Sequence, residues 1–348
     1  AQDPDLMQTQ WNGVANGNGL TIALYILVVL AGVLLLKRGI KRGLEAANKI
    51  LIPSLFALIL LIAIIALSMP KGVDGLNYMF TIRWDLFRDP KVWIEALSQS
   101  AWSTGAGWGL MMTLSSFSRE NEDVTLNTFI GAFGNNTASL LAGMAILPAV
   151  FALSASGSEA LSFLQAGNQA LTFTIIPRLF STIAGGAYLS ILFFLALFFA
   201  AFSSLLPMIE LFISNVSNMG VKEKYLTPII AGGFILFGFP SAYNLDFFNN
   251  QDWVWGVGLI LSGFFILFAV MRYGPGKFKK DFVDGDSDFT IWTSYFSIAT
   301  KVNLFMAIFL VYWWLSQGYS AYPWFDENGN WNFFDVYSNA SVISQWLI

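Results

Sequence analysis

The 348-residue chain contains neither cysteine nor histidine. Without cysteine there is no disulfide framework, thiol nucleophile or thiolate metal site. Without histidine the commonest general base and the Ser-His-Asp arrangement are missing, which argues against a hydrolase. Charge is scarce as well, at 11% of residues with a net value of −4 and no basic tract, so nucleic acid is excluded as a natural partner.

Apolar residues fill the space, at 56% of the chain, and they fall in long runs parted by short polar stretches. This pattern predicts an all-α transmembrane protein rather than a soluble one. Runs such as Leu20–Leu36, Leu51–Leu67 and Leu192–Leu206, with their flanks, are long enough to cross about 30 Å of hydrocarbon as helices. They lack the alternation of a membrane barrel strand. Eight spans are expected, near Leu20–Leu36, Ile50–Leu67, Trp93–Leu114, Thr128–Phe151, Tyr188–Ile213, Tyr225–Phe239, Trp253–Met271 and Val302–Trp314. Between the fourth and fifth, the amphipathic stretch Gln165–Gly186 predicts an outer helical hairpin over one face.

Basic residues set the orientation. Lys37, Arg38, Lys41, Arg42, Lys49, Arg119, Lys222, Lys224, Arg272, Lys277, Lys279 and Lys280 follow the odd-numbered spans, 12 of 18 in all, which makes those loops cytoplasmic and both chain ends external. The polar start Ala1–Gly19 then reads as an outer loop whose preceding helices are cut away. The aromatic, acidic tail Tyr319–Ile348, with Trp324, Trp331, Phe333, Phe334 and Trp346, reads as an interfacial segment at the outer headgroups.

Three places could carry chemistry. The third span holds Gln99-Ser-Ala-Trp102-Ser103-Thr104-Gly105-Ala-Gly107-Trp108-Gly109, with glycines at alternate positions. Each glycine weakens a helix by about 1 kcal/mol relative to alanine, which favours an unwound turn whose freed backbone groups must face protein, water or ligand. Gly105-x-x-x-Gly109 serves equally well as a close-packing stripe. The fifth span carries Ala200-Ala-Phe-Ser203-Ser204, two hydroxyls one turn after a carbonyl, an oxygen set suited to a small hard cation. Serines that bond back to their own helix are the plainer alternative. The fourth span opens on Asn135-Asn136-Thr137-Ala138-Ser139, amides that are costly in a membrane unless they face a polar site.

With these segments in view, the chain resembles the neurotransmitter:sodium symporters from Leu20 to Trp314. Matching stretches run in order: Lys37–Glu45, Gly75-Leu-Asn77, Asp89-Pro-Lys-Val-Trp93, the glycine break, Leu140–Pro148, the hairpin Leu171–Gly186, and Phe198–Ser204. The resemblance implies a LeuT-type fold of two inverted five-helix repeats, with the eight spans standing for family helices four to eleven and helices one to three absent. Residues 1–70 would then be an outer loop and the last two helices of the first repeat. Residues 71–274 would be the second repeat with its break and hairpin 165–186, and 275–348 a cytoplasmic loop, the final span and the outer tail.

The same resemblance implies a sodium-coupled symporter of an amino acid or related zwitterion in the cell membrane, not an enzyme. The alternative is a non-transporting fragment or subunit that needs a partner to supply three helices. Two sodium sites are implied, each incomplete in this chain: Ala200, Ser203 and Ser204 for one, Ser103 and Asn135 for the other. Backbone at Trp102, Ser103 and Gly105 would hold the substrate amine. Trp102 would be the lid, with Trp108 and Met208 as walls. Gln99, Ser103 and Ser139 would form a chloride site, Asp252 an outer-gate acid, and Glu210 resembles a carboxylate of several bacterial members. These aromatics could equally be core packing.

Overall fold

A computed structural model describes residues 4–105, 107–118, 122–285, 287–288, 290–316 and 320–347, with backbone alone for 4–8. Arg119, the first residues of the expected outer loop, and the tail limits Tyr319 and Ile348 lie outside these. The membrane helices are α1 (Gly19–Leu36), α2 (Ala46–Ser68, entered through a π turn at Ile40–Glu45), α3 (Pro90–Ser103), α4 (Leu110–Ser115), α5 (Val124–Leu153), α6 (Gly186–Asn218), α7 (Glu223–Tyr243), α8 (Leu245–Tyr273) and α9 (Thr293–Ser316). Seven of them are long and apolar enough to cross a membrane: α1, α2 with its π turn, and α5 to α9. The chain is therefore a multi-pass membrane protein. The remaining expected span is the pair α3 and α4, interrupted between Ser103 and Leu110.

Helices run past the apolar stretches because polar side chains finish them. The Asn18 and Asn244 side chains accept from Thr21 N (2.9 Å) and Phe247 N (2.8 Å), satisfying donors that a helix start leaves free. At α3, Asp89 accepts from Lys91 N at 2.9 Å and Pro90 occupies the first helical position. Asp123 starts α5 by accepting from Leu126 N at 2.8 Å, and its second oxygen accepts from Asp288 N at 2.7 Å.

The chain forms two compact units, each built from separate stretches: the residues up to Arg83 with Asn136–Tyr243, and Trp84–Asn135 with Asn244–Ile348. In the first unit α6 packs on α2, α1 and α7, and α7 packs on α1. Its core joins Ile62, Ala63 and Ala66 of α2, Ala149 and Val150 of α5, and Phe193 of α6. The hairpin is larger than the expected Gln165–Gly186. Its first arm is the helix Gly157–Leu164, started by Ser156 Oγ accepting from Glu159 N (3.2 Å), while the Glu159 carboxylate reaches back to accept from Ala155 N (2.6 Å). Its second arm, Ile176–Ser181, drives Ile176 and Phe180, each 2% exposed, into the core, where Phe180 meets Phe193 edge to face.

Across α1 and α7, the Tyr25 hydroxyl donates to the Phe234 carbonyl. A net hydrogen bond of about 1 kcal/mol is at stake. Tyr25→Phe is expected to lower the thermal midpoint by about 2 °C, read by fluorescence-detected size exclusion after heating.

In the second unit α8 packs on α9, and the tail helix Asn339–Trp346 packs on α8. Polar side chains fasten it: Asn250 Nδ2 donates to Val336 O (2.8 Å), Asn339 Nδ2 to Leu315 O (2.7 Å) and Trp346 Nε1 to Val254 O (3.0 Å). Phe334, by contrast, is 93% exposed. Among the described residues the sole β feature is a bridge between Phe325 and Trp331. The turn it closes is held by Asp326, which accepts from Asn330 N (2.8 Å) and Asn328 N (2.9 Å).

The Asn330 N–H above all holds the Asp326 carboxyl below the usual carboxylate range. A depressed folded pKa gives stability that is complete above the ordinary range and lost as pH falls through the lower folded value. The turn should thus open on acidification below that ordinary range. The check is the emission difference between the protein and W331F, expected to change with acid in the parent and not in the Asp326→Asn background.

Candidate binding site at the broken helix

The break is real unwinding. Gly105, Gly107 and Gly109 have φ of 66°, 84° and 76°, the left-handed region where a side chain is strained. Helical bonding ends with Thr104 N to Ser100 O (3.2 Å), passes through turn bonds from Gly105 N to Trp102 O (3.1 Å) and Trp108 N to Gly105 O (3.2 Å), and resumes with Thr113 N to Gly109 O (3.0 Å). Packing is served as well, by the middle glycine: a Cβ on Gly107 would stand 2.0 Å from Leu259 O and 2.7 Å from Gly263 N of α8. Gly105 has more room, with only Trp108 Cδ1 (3.7 Å) and Cγ (3.9 Å) of the described residues within 4 Å of such a Cβ.

At the frayed end of α3, Asn135 Nδ2 donates to Ser103 Oγ at 2.8 Å. This ties the break to α5 and leaves the Asn135 amide oxygen outside that bond, next to a hydroxyl. Trp102 and Trp108 meet edge on, 6.1 Å between ring centroids. Trp102 is 41% exposed and rests over Gly256 of α8, where a Cβ would come within 3.0 Å of its Cζ3. Trp108 Nε1 is buried without a hydrogen-bond partner among the described residues.

Gln99, Trp102 and Asp252 line one cavity of about 470 Å³ together with Glu95, Trp253 and Trp314. Glu95 was missed in the sequence, although its spacing to Gln99 and Trp102 places all three on one helical face. Trp314, whose Nε1 donates to Ser98 Oγ at 3.3 Å, carried no local signal because its partner lies on another helix.

The other candidates belong to the first unit. On α6, Ser203 Oγ donates to Ala200 O at 2.9 Å, so the hydroxyl and the carbonyl oxygen come to one spot. Ser204 is exposed beside them and Met208 is half-buried one turn on. Ser139 is exposed on α5, one turn after Asn135. Glu210 is 5% exposed and accepts from Ser214 Oγ at 3.4 Å.

Among the described residues no group of three or more histidine, cysteine or acidic side chains could hold a metal. What the chain offers is neutral oxygen, from hydroxyls, an amide and carbonyls. That donor set fits a hard monovalent cation better than a transition metal.

The family model described as the Sodium:neurotransmitter symporter family matches residues 6–347. An uncharacterized sodium-dependent transporter of Methanocaldococcus jannaschii is 28% identical over 315 residues, covering 87% of this chain and 62% of that protein. The human sodium- and chloride-dependent neutral and basic amino acid transporter B(0+) is 23% identical over 347 residues, 91% of this chain and 53% of the other. The chain thus spans little more than half to three fifths of these relatives. Among solved structures, MhsT in complex with L-phenylalanine superposes with a TM-score of 0.71 at 22% identity, over 87% of this chain and 69% of that one.

Proposed function

Because the chain belongs to the sodium:neurotransmitter symporter family, we propose that its protein couples sodium entry to uptake of an amino acid or related small zwitterion, by alternating access around the break between α3 and α4. The family is one of transporters and not of enzymes. The observation that carries the reading is the Asn135 to Ser103 bond at the unwound end of α3. It supports a site where side-chain oxygens and freed backbone converge near the membrane middle, the arrangement by which discontinuous helices bind ions and substrates.

In this reading Ala200 O, Ser203 and Ser204 ligate one sodium ion. Ser103 and Asn135 ligate a second, which also touches the substrate carboxylate. Backbone at Trp102, Ser103 and Gly105 takes the substrate amine, Trp102 closes over it, and Trp108 forms a wall. Gln99 and Ser103 hold chloride, and Asp252 acts as the outer gate. The solved relative is in complex with L-phenylalanine, and the human relative is named as sodium- and chloride-dependent, which supports an amino-acid cargo and an anion requirement.

The test is uptake by the full-length protein in proteoliposomes under an inward sodium gradient, across a panel of amino acids. At least one should accumulate at a rate about ten times that without sodium, and replacing chloride by gluconate should slow it several-fold. Absence of sodium-stimulated uptake for every amino acid rejects the reading. Indifference to gluconate rejects only the chloride site.

A further inference from the structure

Behind the break lies a second cavity, of about 360 Å³, between α3, α8 and α9. Among the described residues thirteen line it, of which only Ser100, Thr104 and Asn303 carry side-chain oxygen or nitrogen. The Thr104 hydroxyl is engaged, donating to Ser100 O at 2.8 Å. Among the described residues neither the Asn303 amide nor the Ser100 hydroxyl has a hydrogen-bond partner. Asn303 stands near the middle of α9, which runs Thr293–Ser316, and is exposed.

Two physical facts define what such a space takes. An unpaired amide at membrane depth is expensive, so Asn303 favours an occupant that can both donate and accept. Water alone does not suit the remainder, because a water needs two or more polar partners and about 30 Å³, whereas this volume is walled by Ile260, Leu267, Met306 and similar side chains. Concave, mostly apolar and furnished with one or two polar groups, it has the make-up of a small-molecule site.

We infer that this cavity binds an uncharged amphiphile that reaches it from the bilayer, such as a medium-chain alcohol. The hydroxyl head bonds Asn303 and Ser100, and the chain lies along α8. The occupant sits against Ala101 and Gly107, while neither Ser103 nor Asn135 lines this cavity, so an occupant packs on the unwound turn without entering the Ser103 to Asn135 bond and stiffens that turn.

The experiment is photolabelling of the full-length protein in nanodiscs with octanol bearing a diazirine, with adducts mapped by peptide mass spectrometry. Adducts are expected within 97–107, 260–267 and 303–310, and excess unmodified n-octanol should remove them. Asn303→Leu keeps the bulk but loses the amide, so labelling there should fall about fivefold, the equivalent of one hydrogen bond. Ala307→Phe fills the space and should abolish it. Labelling spread evenly over exposed positions outside these stretches, such as Leu34, Phe237 and Tyr312, absent altogether, or undiminished by both variants overturns the inference. Should either variant fail to give a monodisperse peak, competition by n-octanol on the unaltered protein decides: adducts that persist overturn it, and adducts that vanish sustain it.

Discussion

Gly107→Ala is expected to remove most of the folded protein. The new methyl would lie 2.0 Å from the Leu259 carbonyl and 2.7 Å from the Gly263 nitrogen, both main chain, so no side chain can swing aside. Overpacking against a rigid wall costs about 1–3 kcal/mol, and an alanine forced into left-handed backbone adds about 1–2 kcal/mol. Together that is a large share of the about 5–15 kcal/mol that holds an ordinary protein folded.

Yield of the monodisperse peak after detergent extraction is the readout. Gly134→Ala, a site in α5 with nothing within 4 Å of its would-be Cβ, should leave that peak intact or slightly more stable. Gly105→Ala separates folding from function. Its surroundings leave room for a methyl, so the protein should fold with a penalty of about 1 kcal/mol from its positive φ, while uptake suffers. A wild-type yield for Gly107→Ala would mean that α8 does not press on the break.

The second large effect concerns transport. Ser203→Ala combined with Ser204→Ala takes both hydroxyl oxygens from the proposed sodium site on α6, and alanine offers no replacement. Even groups one step removed from a bound ion change its affinity by about 10–100-fold, so loss of two direct ligands should raise the sodium concentration for half-maximal uptake by about 100-fold or more. Folding should hardly notice. The bond from Ser203 Oγ to Ala200 O is local to one helix, and such bonds contribute little. Ser203→Thr restores one hydroxyl and should recover part of the response. Sodium dependence that is unchanged in the double variant would remove these serines from the mechanism.

Membrane helices were legible because apolar runs of that length have one stable use, and the break because alternate glycines conflict with helix formation. Asn135 stood out because an amide in hydrocarbon demands a partner, and Ser103 is the partner it has. Other features depend on surfaces that meet only after folding. Which of three glycines packs closely is decided by Leu259 and Gly263, more than 150 positions away. The hairpin's first arm hid because Ser154–Ser158 looks like a loop, although the spacing from Ser156 to Glu159 was a readable start signal. The tail's fastening rests on Asn250, Asn339 and Trp346, residues whose composition also suits a headgroup layer.

The hairpin bears on kinematics. Phe180 is sunk beside Phe193, and Phe193 lies on the same unbroken helix as Ala200, Ser203 and Ser204. Packed cores slide poorly. Whatever tilt α6 undergoes during a cycle is therefore carried to the hairpin as a lever carries it, so that a displacement at the ion-binding turn is registered at a surface element several helical turns away.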